Sequence, residues 1–300
     1  LQNALRTQQE ERGEIWGDEC AVEELNAEYA IVHTSQFYIL REKEHPVYGI
    51  DFTLESKQSL KDTFENQIVL CSDGKMRTKA EVWLKSPMRR QYDGIVFNPD
   101  KKAVSSKYYN LWRGFSIAPK KGSCERYKAH VREVICNDNK AYFKYTWKWS
   151  ARLIQAPHLL AESAIVLMGD PGAGKNSFVE PLGDLLGSHY LPLDSMQQLL
   201  GNFNFHLKNA VLIHGNEALW GGNKKDLGKL KAMITEKHKL IEGKGKDQII
   251  VPNFTHLIVS SNEDWPVYID PNDRRFFVLQ VSNKHKEDLE YFGLIRKELE

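Results

Sequence analysis

The sequence predicts an α/β protein, with a core on a mainly parallel sheet over residues 161–300 and a mixed α+β N-terminal region over residues 1–80. Three observations carry that prediction. Short apolar runs rich in β-formers recur after Ser163, at Ala164–Met168, Val211–His214, His256–Val259 and Phe276–Val281, as buried parallel strands require. Helical patterns alternate with them, which is the sequence mark of strands joined by helical crossovers. The first run ends in Gly169-Asp-Pro-Gly-Ala-Gly174-Lys175-Asn176-Ser177, a glycine-rich turn opening a helix through Phe178, Val179 and Leu182.

Taken in order, residues 1–28 are polar and helix-prone, and strands are expected at Tyr29–His33, Phe37–Leu40 and Val47–Phe52, then a helix over Ser56–Glu65. Residues 81–160 read as an aromatic and basic, largely helical stretch leading into the core. Within it Trp83, Arg89, Arg90, Tyr92, Phe97, Tyr108, Tyr109, Trp112 and Arg113 crowd together, and helices are expected over Glu125–Cys136 and Ala141–Gln155. Ala156-Pro157 ends the second helix and marks the linker.

Composition narrows the class. Hydrophobic residues make up 41% and charged residues 27% of the 300 positions, an ordinary balance for a globular protein. No apolar run reaches the roughly 18 residues a membrane span needs, and no signal-peptide pattern opens the chain. Cys20, Cys71, Cys124 and Cys136 form no C-x-x-C pair and lack zinc spacing; they read as reduced thiols of a cytoplasmic protein. Net charge is +1, from 41 basic and 40 acidic residues, so any nucleic-acid surface must be a local patch. The chain starts at Leu1 and stops within a helical pattern over 289–300, and so reads as a piece of something longer, with the core cut short at its C-terminal end.

The turn after the first core strand has the layout of a P-loop, with Gly169 and Gly174 at the fixed glycine positions and Lys175 following. Glycines let the backbone approach an anion closely, N–H groups of the loop and helix start point at it, and the lysine adds a point charge at the β/γ-phosphates. Gly169, Pro171, Gly172, Ala173, Gly174, Lys175, Asn176 and Ser177 are therefore the candidate nucleotide-binding residues. A Gly/Lys-rich surface turn has the same composition; the strand before and helix after decide for a P-loop. The pattern breaks once: Asn176 stands where a magnesium-binding Ser/Thr should, with Ser177 one place late.

Other strand tips carry the partners such a loop needs. Val211–His214 ends in Gly215-Asn216-Glu217. An ATPase uses one acid there to hold magnesium and a second to activate the attacking water. Glu217 fills the second role and Asn216 stands in the first; alone, a Glu after a strand would read as a helix-capping acid. His256–Val259 ends in Ser260-Ser261-Asn262, where an amide reaches a γ-phosphate or its water, or simply makes a turn. Arg274 and Arg275 follow, candidates for an arginine finger on a neighbouring subunit or for a surface salt bridge. Between them, Leu240–Val251 reads as a hairpin with Gly243-Lys244-Gly245-Lys246 at its tip. Such a tip suits either a solvated turn or a grip on a phosphate backbone.

This compact order resembles superfamily-three helicases, the ring-forming AAA-type ATPases of viruses and plasmids. It is more similar still to the helicase-like half of phage primase-polymerases, the self-priming replicative enzymes of the deep-sea vent phage type. The resemblance rests on Gly174-Lys-Asn176, Glu217-Ala-Leu-Trp220, Gly243-Lys-Gly-Lys-Asp247 and Arg274-Arg-Phe276, and upstream on Pro87–Phe97 and Tyr109–Phe115; it covers residues 80–285. It implies a P-loop AAA-type core that binds ATP or another nucleoside triphosphate with Mg2+, acts on single-stranded or forked DNA, and assembles as a hexameric ring in the full-length protein in the host cytoplasm. It also implies roles: Asn176, Ser177 and Asn216 near magnesium, Glu217 as base, and Asn262 sensing the γ-phosphate. Arg274 or Arg275 would complete a neighbour's site, and Lys244 and Lys246 would touch the DNA backbone. The family has Asp where Asn216 stands, which keeps open a rival: a nucleotide-regulated DNA-binding or assembly module with little ATPase activity. The polymerase-primase carboxylates would precede Leu1 in the parent.

Overall fold

The computed structural model describes residues 17–33, 36–45, 49–202, 204–216, 224–242, 249–262 and 273–300. Two compact units emerge: residues 1–96 with 104–111, and residues 97–103 with 112–300. The aromatic and basic stretch 81–160 is thus shared between them.

In the N-terminal unit, helix α1 (Gly17–Glu28) turns Ala21, Val22 and Leu25 inward, the spacing of one helical face. Strands β1 (Tyr29–His33), β2 (Phe37–His45) and β3 (Gly49–Glu55) follow, then α2 (Lys57–Thr63), β4 (Ile68–Leu70), β5 (Met76–Thr78), α3 (Lys79–Lys85), β6 (Gln91–Tyr92), β7 (Gly94–Val96) and β8 (Tyr108–Asn110). The main sheet runs β3-β2-β1-β6, with β1 antiparallel to β2 and parallel to β6, and helices α1, α2 and α3 accompany it, the α+β mixture the sequence predicts. As a central strand, β1 buries Tyr29, Ala30, Ile31 and Val32. The strand expected at Phe37–Leu40 runs on to His45 because its charged second half pairs with β3; ladder pairing overrides the weak β-propensity of Arg-Glu-Lys-Glu. A capping box, Thr78 with Glu81, starts α3 and aims Trp83 at Ile31, Ile39 and Leu60 in the core.

In the C-terminal unit, the helix expected over Glu125–Cys136 is α4 (Glu125–His130) running into a π-helical turn, Val131–Ile135. Helix α5 (Lys140–Gln155) is capped by Asn139, whose side chain accepts from the N–H groups of Ala141 and Tyr142. After it come β9 (Ala164–Met168), α6 (Lys175–Leu186), β10 (Tyr190–Leu193), α7 (Met196–Leu200), β11 (Leu212–Asn216), α8 (Lys224–Thr235), β12 (His238–Ile241), β13 (Ile249–Pro252), β14 (His256–Ser261), β15 (Phe276–Gln280) and α9 (Leu289–Leu299). Strands β10-β11-β14-β9-β15 form one wholly parallel sheet. Every residue of β9 and β14 is buried, as the apolar runs require. The core packs Val166, Met168, Ile213 and Val259 against Leu230 and Ile234 of α8. Strands β12 and β13 pair antiparallel, the two halves of the expected hairpin.

The aromatic crowding of 81–115 is largely core. Trp83, Phe97, Tyr109 and Trp112 are buried, and Trp112 stacks on His189, ring centroids 4.5 Å apart. Among the described residues no helix is long and apolar enough to cross a membrane.

Candidate functional site

The glycine-rich turn leaves the carboxyl end of β9 and becomes α6 with no side chain capping the helix start, so the first N–H groups of that helix are offered to whatever lies before them. Two glycines are forced by geometry. Gly174 has φ 92°, and a Cβ there would stand 2.6 Å from Phe292 and 2.7 Å from His130. Gly172 has φ 77° and would meet the Glu287 side chain at 3.0 Å.

Lys175 is buried, and its ammonium donates to the carbonyls of Gly169 at 2.5 Å and Asp170 at 2.9 Å, and to Oδ1 of Asn262 at 2.8 Å. Sheet order explains the last contact. β14 lies beside β9 with Ser261 opposite Met168, so the residue after β14 arrives next to the turn after β9. The backbone of Asn216 ends β11 opposite Ser260, on the same carboxyl edge, which is where open parallel sheets bind ligands.

The turn is held from outside by chain distant in sequence. Asp170 accepts from Lys286 at 2.8 Å and Asn283 at 3.2 Å, and the Lys286 ammonium holds its carboxyl below the ordinary value. The N–H of Glu287 donates to Gly172 O at 3.1 Å, that of Val281 to Met168 O at 2.7 Å, and that of Ser282 to Val134 O at 2.8 Å, in the π-helical turn. His130, the last residue of α4, reaches Gly174 O at 3.0 Å.

A cleft of about 1130 Å³ opens on this face, lined by Pro171, Gly172, Ala173, Gly174, Lys175, Asn176, Ser177 and Asn262, with Ile117, Phe292, Ile295 and Leu299 as its apolar part. Seven of the candidate loop residues and Asn262 therefore share one cavity. Gly169 contributes its carbonyl to Lys175 instead.

The remaining candidates are spread differently. Arg274 and Arg275 precede β15, whose first residue pairs with Ala164 at the start of β9, so both sit on the amino edge, about 16 Å of strand from the turn. Arg275 pairs with Asp273 at 3.2 Å, and Lys231 of α8 with the same carboxylate at 2.7 Å. Glu217, Lys244 and Lys246 lie outside the described residues, as does the side chain of Asn216. Among the described residues no group of His, Cys, Asp or Glu is arranged to hold a metal ion.

Sequence reasoning missed, as parts of this site, Asp170, the 281–288 connector and His130, whose Nδ1 meets the Tyr291 hydroxyl at 3.3 Å. Asp170 stands inside the glycine-rich turn itself; no local pattern marks the others, since His130 lies 44 positions before Gly174 and the connector carries no motif. Buried His214 was missed as well; it links Tyr190 and Ser260 across three strands, at 3.2 and 2.8 Å.

A family of unknown function (DUF5906) matches residues 167–275, from the end of β9 to the arginines before β15. The chain is 32% identical over 187 residues to the DNA primase-polymerase of Nitratiruptor phage NrS-1, covering 60% of this chain and 26% of that protein. It thus spans about a quarter of the length of that relative. An apo structure of the NrS-1 C-terminal region superposes with a TM-score of 0.69 at 22% identity, covering 95% of this chain and 68% of that one. The A form of the same region gives 0.67 at 22%, over 94% and 67%. The similarity to phage primase-polymerases carried by the motifs is borne out in sequence, and the solved structures share the fold.

Proposed function

We propose that this chain is an ATP-dependent helicase or translocase domain of superfamily-three type from a viral replicative primase-polymerase, using nucleoside triphosphate to move along or open DNA. The observation that carries the reading is the meeting of Lys175, Asn262 and the glycine-rich turn at the carboxyl edge of a parallel sheet. The strand order puts β9 between β14 and β15, so that edge gathers the tips of several strands beside the glycine-rich turn, as a P-loop AAA-type core needs.

In this reading loop N–H groups and Lys175 bind the β/γ-phosphates, and Asn262 faces the γ-phosphate. Glu217 takes a proton from the attacking water. Asn176 and Ser177 line the cleft beside Lys175 and would hold Mg2+ together with Asn216. These are neutral oxygens, which suit an ion that keeps several waters and binds mainly through substrate phosphates. That ion supplies charge neutralisation of the phosphates when bound. Arg274 and Arg275, on the far edge from their own cleft, could serve only a neighbouring subunit's nucleotide, as a ring would require. Lys244 and Lys246 would face the DNA backbone.

Asn216 favours one rival, a nucleotide-regulated DNA-binding or assembly module that turns over little ATP, because an amide is a poorer magnesium ligand than a carboxylate. Steady-state ATPase with and without single-stranded DNA separates the two. Turnover that DNA stimulates, and that Glu217→Gln removes while ATP still binds, supports the helicase reading. Tight ATP binding without turnover supports the rival, and no ATP binding sinks both.

A further inference from the structure

We infer that His130 is a positioning residue for the phosphate cradle: it holds the Gly174 carbonyl and so aims the Lys175 amide N–H at the bound anion. This rests on the nucleotide-binding reading above.

The ring is wholly buried, and both its nitrogens are engaged. Nε2 lies 3.0 Å from Gly174 O and Nδ1 3.3 Å from the Tyr291 hydroxyl. A carbonyl can only accept, so Nε2 carries the hydrogen. Burial pushes the imidazole pKa down to about 4, so the ring is neutral and Nδ1 accepts from Tyr291. Burial also raises the Tyr291 phenol to about 12, keeping it a donor. The tautomer follows from the two partners.

Peptide planarity turns this contact into a statement about the site. In a trans peptide the C=O of Gly174 and the N–H of Lys175 point in opposite directions. Holding the carbonyl against His130 therefore sends the Lys175 N–H the other way. Gly174 and Lys175 line the cleft, and His130 is not among its lining residues. Gly174 is the N-cap of α6, so its carbonyl also begins the helix, and the His130 contact is a second hold on the same oxygen.

The hold is itself braced. The Tyr291 ring stacks on His285 with centroids 3.7 Å apart, and Asp288 caps α9 by accepting from Tyr291 N at 3.0 Å. Phe292 packs edge-on against the His130 ring. A leucine or phenylalanine at 130 would fill this space. Neither would give Gly174 a donor.

ATP affinity with Mg2+ present, measured by calorimetric titration on the whole chain, decides it. His130→Leu should weaken ATP about tenfold or more, because it removes the donor. His130→Gln, which returns an N–H near the position of Nε2, should recover affinity to within about threefold of the parent. A merely structural role would lower the melting temperature of both variants without separating their affinities. Should His130→Leu fail to fold, His130→Phe keeps a ring and lacks the donor, and the same outcomes apply. A folded donorless variant that binds ATP like the parent overturns the inference and leaves the P-loop reading standing. A parent chain that binds no nucleotide sinks the P-loop reading, and this inference with it.

Discussion

The two units of this chain contain similar polar ingredients and use them in opposite ways. In the N-terminal unit Arg90 forms a bidentate pair with Glu42, at 2.8 and 3.1 Å, and its Nε donates to Tyr92 at 3.0 Å. Tyr109 donates to the same carboxylate at 2.6 Å, and Asn26 accepts from Trp83 at 2.8 Å and from Arg90 N at 2.6 Å. This network of charge and hydrogen bonds ties α1, β2, β6, β8 and α3 together. In the C-terminal unit the cation Lys175 lies among loop carbonyls and Asn262 at the rim of a cleft. The surrounding chain grips that loop mainly through its carbonyls and the Asp170 side chain. A cation matched to a carboxylate inside a unit builds structure. Lys175 is instead held by neutral oxygens beside a glycine-rich turn, on the edge where open parallel sheets bind ligands.

The largest effect expected from this contrast is at Lys175. Lys175→Ala removes the side-chain cation of the cradle while the backbone donors stay, and nucleotide affinity should fall by about a hundredfold or beyond detection. Equal binding of labelled ATP by the variant would erase the difference between the units.

Acid should separate the units next. His130, His189, His214 and His256 are all buried in the C-terminal unit, and burial depresses each to about 4 from an ordinary 6.5. A folded-state pKa below the unfolded one means the unfolded chain takes up protons first as pH falls. Stability should hold above about 6.5 and decline toward about 4, by about 1.4 kcal/mol per pH unit for each histidine that keeps its shift. Urea unfolding across that range, followed by a C-terminal-unit probe, tests it. A midpoint that does not move there would mean that these rings accept protons while folded.

The converse experiment is on the N-terminal side. Glu42→Gln keeps the shape and removes the charge that Arg90 faces. It should cost about 1–3 kcal/mol of stability, because a half-buried guanidinium loses its counter-charge, and leave ATP affinity unchanged. A large loss of ATP affinity with no loss of stability would assign this network to the site.

The same contrast explains what the sequence made legible. β9, β11 and β14 were readable because central parallel strands buried on both faces need unbroken apolar runs. β15 was readable because even at the sheet edge and partly exposed it is a run of β-formers, and the turn because glycines and Lys175 follow β9 directly. β10 was not, since Tyr190-Leu-Pro-Leu193 carries a proline that only an edge strand tolerates. Composition shows that aromatic and basic residues crowd at 81–115 but not which way a ring points, and Trp83, Tyr109 and Trp112 are buried. His130 and the 281–288 connector act through contacts that only the folded chain creates. The meeting of Asn262 with Lys175 depends on β14 lying beside β9, an adjacency that no local pattern encodes.

The smallest expected effect concerns Lys244 and Lys246, which lie outside the described residues, in the stretch of sequence between β12 and β13. If they grip phosphates, changing both to Ala should weaken single-stranded DNA binding about equally for all sequences. It should also flatten the log–log salt dependence by about 0.7 for each phosphate that is no longer neutralised. Basal ATPase and ATP affinity should hardly change, since these lysines have no assigned contact with nucleotide. Binding curves at several salt concentrations decide it. An unchanged affinity and slope would return the hairpin to a solvated turn and move the DNA contact elsewhere. With Trp83, Tyr109 and Trp112 buried, the rings left for stacking bases in the aromatic stretch include Tyr108 in the N-terminal unit and Phe115 in the C-terminal unit, 42% and 41% exposed. Loss of binding in Tyr108→Ala would then give DNA recognition to the unit that holds the Arg90–Glu42 network. Loss in Phe115→Ala would keep recognition and nucleotide chemistry together in the other.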